Sequence, residues 1–271
     1  MDRSDDRLMR RARTSVELFL GLSAAAGVMA VSLGTPAAIA QHHHPSSDHL
    51  DQGGEGGEGG EGTSATTLST DVDFLVVLGQ MQGHLLVAEE LLKAGDAKAA
   101  EPHVGHPVDE LYGAIVPVLQ ERGVPSFLNT LEELRQQVRL DPASPLTMNK
   151  LMAAQQAIAT AELAVPLAIR SNPDTVSAVV LKLAEAAAAE YSAAEADGQI
   201  VEVLEYQDAR GFLLQAQQIL KSSRDPSSAA AERFKSIQLG LQAMLRAFPS
   251  VRPPAKAVVR ASQLEAIEKT L

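Results

Sequence analysis

DVDFLVVLGQMQGHLLVAEELLK, residues 71–93, decides the fold. Phe74, Leu78, Met81, Leu85, Ala88 and Leu92 recur every three or four residues, which makes one face of an α-helix apolar. Val77, His84 and Leu91 run along the edge of that stripe, so the spacing predicts a helix over 71–94 with His84 largely buried. The rest of the chain has the same texture. Leu, Ala, Glu and Gln dominate, and Pro or Gly punctuates runs at 107–121, 126–138, 145–170, 174–196, 201–222, 227–247 and 255–270. Asp71, Ser144-Pro145 and Asp225-Pro226 suit helix starts. No run alternates with period two for long, so the expected fold is all-α: an antiparallel helical bundle with short connections.

The chain divides by composition. Residues 1–40 carry Arg3, Arg7, Arg10, Arg11 and Arg13, an apolar stretch from Leu18 to about Leu33, and Ala38-Ile39-Ala40, which reads as an export signal ending before Gln41. The apolar stretch is shorter than the roughly 20 residues a membrane span needs, so an anchor that stays attached is the second reading. A periplasmic or secreted protein, with no membrane insertion after cleavage, is the expectation. Residues 41–70, QHHHPSSDHLDQGGEGGEGGEGTSATTLST, have few apolar side chains and read as a disordered His- and Gly/Glu-rich arm. The helical remainder is expected to form a first hairpin region over 71–140 and a second bundle region over 141–271. GHLLVAEELLK (83–93) and GFLLQAQQILK (211–221) echo one another, the pattern two related bundles would leave.

Composition excludes several chemistries. The chain has no cysteine, hence no disulfide, no thiolate ligand and no covalently attached haem; a metal site must use His, Asp, Glu, Met or backbone oxygen. With 34 acidic against 23 basic residues and a net charge of −11, its partners are cations or basic surfaces, not nucleic acid. No nucleophile elbow, zinc-protease motif or phosphate loop is present, so a non-enzymatic role is expected.

All seven histidines fall between residues 42 and 106. His42, His43, His44 and His49 lie in the arm, where they are either a loose cation collector or a solvated tail. His84 is either a ligand or a hydrogen-bonded core histidine. EPHVGHPVDELY (101–112) places His103 and His106 before Pro107, with Asp109 and Glu110 following. His106 and Glu110 share a helical face, but one opposite the stripe of Val108, Leu111, Tyr112, Ile115 and Leu119, so the spacing does not aim them at the first hairpin. Acidic residues in a first turn also suit the helix dipole without any metal.

EYSAAEADGQIVEVLEYQDARGF (190–212) holds the second group. Val201, Glu205, Asp208, Phe212, Ala216 and Ile219 fall on one stripe, so two carboxylates sit among core positions, with Glu195 and Tyr191 nearby. Buried carboxylates need a cation, an arginine or several hydrogen bonds; Arg210 or Arg233 with tyrosine hydroxyls is the metal-free solution.

This 190–212 segment resembles part of the periplasmic helical domain fused to bacterial high-affinity iron permeases. GQMQGHLLVAEELL with PHVGHPVDELY more loosely resembles imelysin-like iron-uptake proteins, whose His-x-x-Glu spacing is here His106 to Asp109, with Glu110 one position later. The resemblance implies an iron-associated envelope protein that works with a permease or another envelope partner. The expected ligands are His84, His103, His106 and Glu110 in one site and Glu195, Glu205 and Asp208 in another, for iron, or else zinc or copper. The alternatives are an envelope scaffold without a metal, and haem held by His84 or His103.

Overall fold

A computed structural model describes residues 68, 70–223 and 228–271, with side chains described from residue 230 in the last segment. The export signal expected at 1–40 and nearly all of the arm expected at 41–70 lie outside the described residues. The helices are α1 (Asp71–Lys93), α2 (Ala97–His106), α3 (Tyr112–Glu121), α4 (Leu128–Leu140), α5 (Pro145–Glu162), α6 (Leu167–Arg170), α7 (Pro173–Ala194), α8 (Val203–Ser222), α9 (Ser228–Leu245) and α10 (Ala261–Glu268). The only strands among the described residues are β1 (Glu195–Ala196) and β2 (Gln199–Ile200). The all-α expectation holds.

Local chemistry sets the ends. The Thr70 hydroxyl accepts from Asp73 N to open α1, Ser144 with Pro145 opens α5, and Asn172 with Pro173 opens α7. Four boundaries depart from the spacing. Residues 97–106, read as a connection, are helical because Asp96 caps the turn at Ala99 N and three alanines follow; Pro102 gives up one backbone bond inside the helix. Pro107 does not start a new helix but opens a π-helical turn, Pro107–Leu111, in which Tyr112 N–H reaches the Pro107 carbonyl. The expected 145–170 helix stops at Glu162 ahead of Pro166. Residues 255–260 are irregular because their backbone is engaged elsewhere: Ala257 N donates to Gly198 O, and the Val259 carbonyl accepts from Tyr191 Oη.

Helix α1 is shared by two cores. Phe74, Leu78, Met81 and Leu85 pack with Ile115, Leu131, Leu134, Leu151 and Ile158 of α3, α4 and α5. Val76 belongs to the other core, with Leu183 and Tyr191 of α7, Tyr206, Phe212 and Leu213 of α8, Ile237 and Leu241 of α9 and Leu264 of α10. The echoing segments of α1 and α8 cross where Gly83 meets Gly211, an approach only glycine permits. That crossing sets His84 of α1 against Asp208 of α8.

Candidate metal centre

Apart from Glu195, the two groups of residues expected as separate sites meet in one place. Ligand atoms of His84, His103, His106 and Asp208 lie within 4.8 Å of one another. Asp208 is at the centre: its Oδ1 is 2.7 Å from His84 Nδ1 and 2.9 Å from His103 Nδ1, and its Oδ2 is 3.4 Å from His106 Nδ1. His103 is 0% exposed, Asp208 3% and His84 4%. His84 is surrounded by Phe212, His103 and His106 at ring separations of 5.1, 6.2 and 4.9 Å.

The π-helical turn explains how His106 and Glu110 arrive. Its extra residue rotates the chain between α2 and α3, so the face opposite the Ile115 stripe turns toward α8. His106 Nε2 then lies 4.0 Å from Glu110 Oε1 while its Nδ1 faces Asp208. Both residues share the face opposite the stripe, as the spacing has it, and that face meets Asp208 of α8 rather than the first core.

Glu205 and Glu190, half-buried on α8 and α7, lie near enough to Asp208 to feel its charge, and the two carboxyls are hydrogen-bonded to each other. Glu190 was not singled out from the sequence, although it opens the segment that carries the resemblance. Glu195 does not belong to this centre. It has left the helix for β1, where its carboxylate accepts from Gly198 N, Ala261 N and Arg260. Asp197 (φ 52°) and Gly198 (φ 81°) turn the chain there in the left-handed region a two-residue hairpin requires. Glu195 is therefore a structural clamp between this hairpin and the start of α10.

Electrostatics express the crowding. Burial pushes the His84 imidazole down, against the pull of Asp208. Burial also opposes charge on His106, but Asp208, Glu110 and Glu205 outweigh it and raise it to about 9. Burial lifts the Glu110 carboxyl to about 7 even with His106 beside it, and lifts Glu190 and Glu205 as well. Asp208, despite its burial, is held well below the usual carboxylate range by the three imidazoles.

The arginine and tyrosine closure expected without a metal does not form around these carboxylates. Arg210 spends both sides of its guanidinium on Glu90 and donates to the Phe248 carbonyl, and Arg233 pairs with Asp174. Tyr191 and Tyr206 donate to the Val259 and Ser250 carbonyls. Among the described residues, no lysine or arginine forms an ion pair with Asp208, Glu110, Glu190 or Glu205.

A second contact missed from sequence fixes the histidine chemistry. Gln207, 3% exposed, donates from Nε2 to the Val251 carbonyl, which can only accept, so its Oε1 is the atom 2.9 Å from His103 Nε2. His103 Nε2 must carry the proton, and a neutral His103 then aims the lone pair of Nδ1 at the Asp208 carboxylate. Two acceptors at 2.9 Å repel unless a proton or a metal ion lies between them.

No helix among the described residues is long and apolar enough to cross a membrane. No curated protein and no solved structure matches the chain. The three histidines and Glu110 precede the segment that does have known relatives. Residues 166–271, which supply Glu190, Glu205, Gln207 and Asp208, match the family model of the iron permease-associated 4-helix bundle domain and are similar to it.

Proposed function

We propose that this chain is an exported, non-catalytic metal-binding protein that holds a first-row transition-metal ion at His84, His103, His106 and Asp208. The observation that carries the reading is the His103 ring: its Nε2–H is committed to Gln207, and its Nδ1 faces a buried carboxylate beside two further imidazoles. A ligating histidine needs this arrangement, in which the distal nitrogen donates to a fixed acceptor and so orients the proximal lone pair. Three imidazoles and a carboxylate suit iron, zinc or copper better than calcium or magnesium.

Iron is the ion we assign, because the segment holding Asp208 matches an iron permease-associated domain. The role we propose is to take up the ion in the periplasm and pass it to, or receive it from, a membrane permease. The export signal read at 1–40 and the acidic net charge of −11 support a cation-handling protein outside the cytoplasm.

The test uses the full chain with His42, His43, His44 and His49 changed to Ala, so that the arm contributes no imidazole. Equilibrium dialysis against a weak chelator, with Fe2+ under anaerobic conditions and with Zn2+, should leave metal on this protein and remove it from His103→Ala and Asp208→Asn. No metal on any of the three proteins, with only their thermal stability differing, would establish the scaffold alternative instead.

A further inference from the structure

All three histidines turn Nδ1 toward Asp208, at 2.7 Å for His84, 2.9 Å for His103 and 3.4 Å for His106. They are not held alike. His103 is fixed on both sides, by Asp208 at Nδ1 and by Gln207 at Nε2, each at 2.9 Å. His106 is fixed on neither. Its Nδ1 is buried and makes no hydrogen bond of ordinary geometry, and its Nε2 lies 4.0 Å from Glu110 Oε1, beyond hydrogen-bonding distance.

His106 and Glu110 are also the side of the centre that meets solvent. Their side chains are 17% and 11% exposed, against 5% for His84, 4% for Asp208 and 0% for His103. An ion approaching His84 and His103 therefore comes past His106.

Ligation through Nδ1 decides what the other nitrogen does. A neutral imidazole whose Nδ1 lone pair is on a metal carries its proton on Nε2, and an acceptor there orients the ring. For His106 that acceptor is the Glu110 carboxylate, supplied by the π-helical turn. Glu110 meets the ring at the nitrogen other than the one facing Asp208. It also stands apart from His84, His103, His106 and Asp208, whose ligand atoms lie within 4.8 Å of one another.

We infer that Glu110 is the positioning residue of His106: once the ion takes Nδ1, the carboxylate accepts the Nε2–H and holds this solvent-side imidazole closed over the metal. This rests on the metal-centre reading above and deepens it, because Glu110, expected as a ligand, orients one instead. His84, His103 and Asp208 are the prearranged part of the site, and His106 is the ligand made last. The closure takes the 4.0 Å gap to a charge-assisted bond of about 2.8 Å, a shift of roughly 1 Å.

The probe is Co2+, titrated into the full chain with the four arm histidines changed to Ala and followed by its visible bands, which report the ligand set. Glu110→Leu should lower Co2+ affinity about 10–100-fold and leave the spectrum at saturation unchanged. Glu110→Gln keeps an acceptor and should restore most of the affinity. Parental affinity in Glu110→Leu, or equal losses in the two variants, overturns the positioning role, and so does a changed spectrum in either, which would make Glu110 a ligand. No Co2+ on the parent would instead overturn the metal-centre reading itself. If Glu110→Leu does not fold, long-range proton–nitrogen NMR of the Zn2+-loaded parent decides: a proton on His106 Nε2 with Nδ1 on the metal supports the inference, and the reverse arrangement refutes it.

Discussion

Gly211 of α8 meets Gly83 of α1 so closely that neither position has room for a side chain. A Cβ at Gly211 would lie 2.9 Å from the Gly83 carbonyl carbon and 2.9 Å from Val87 Cγ2, and one at Gly83 would lie 3.0 Å from the Gly211 carbonyl oxygen. The crossing is backbone against backbone, with little that can move aside. Asp208, one turn earlier on α8, is thereby placed against His84, the residue after Gly83.

Gly211→Ala should therefore damage both fold and site. Overpacking of this kind costs about 1–3 kcal/mol, and separating α8 from α1 pulls Asp208 away from His84. Denaturant unfolding should show the loss, and metal affinity measured on the folded fraction should fall with it. A variant of parental stability and affinity would show that the helices part without cost.

Gln207 tests how His103 is oriented. Gln207→Leu keeps the volume but removes the acceptor for His103 Nε2–H, and losing such an outer-shell partner lowers metal affinity about 10–100-fold. Gln207→Glu restores an acceptor and should restore most of the affinity. Equal affinities for the parent and Gln207→Leu would remove Gln207 from the account.

Glu195 should behave as a structural residue. Its carboxylate accepts from two backbone N–H groups and Arg260, and its pKa is lowered chiefly by the Ala261 N–H bond. Glu195→Ala should cost roughly 2 kcal/mol or more and leave metal content unchanged. Metal loss at parental stability would return Glu195 to the ligand set.

Titration gives the metal-free protein a characteristic slope. His106 is raised from 6.5 to about 9 and Glu110 from 4.5 to about 7, so each binds its proton more tightly in the folded state. Stability from Glu110 is complete below its unfolded value of 4.5 and is lost as pH rises through about 7. That from His106 is complete below 6.5 and is lost as pH rises through about 9. Asp208 has the opposite sign, stabilising above 3.8 and losing its effect in stronger acid. The lowered His84 works the other way up to its unfolded value of 6.5, so the melting temperature of the metal-free chain should fall between about pH 6.5 and 9, and added Zn2+ should flatten the fall by displacing those protons. A melting temperature that rises across this range would contradict the proton assignments.

Much of this was legible in the sequence, and the misses have physical causes. The stripe from Phe74 to Leu92 identifies α1 and the burial of His84, because periodicity reports burial directly. Asp208 and Glu205 were legible as carboxylates at core positions. That the His group and the carboxylate group form one site was not, since it depends on Gly83 and Gly211 meeting across 128 residues of chain. The face shared by His106 and Glu110 was legible, but not that α8 would cover it, because that depends on the crossing of α8 with α1. Glu195 was misplaced because the hairpin begins two residues before the Asp-Gly pair that seemed to end the helix. Glu190 and Gln207 sit in the segment that carries the family resemblance, but neither lies on the apolar stripe that drew attention to their neighbours.

The central claim is that a metal ion lies between Asp208 and the histidines. Crystals of the full chain grown with Zn2+ and measured at the zinc absorption edge test it most directly. The account predicts an anomalous peak about 2.0–2.2 Å from His84 Nδ1, His103 Nδ1 and an Asp208 oxygen, with His103 Nε2 still bonded to Gln207. An interior without a peak, with His84 and His103 still hydrogen-bonded to Asp208 at saturating Zn2+, would contradict it.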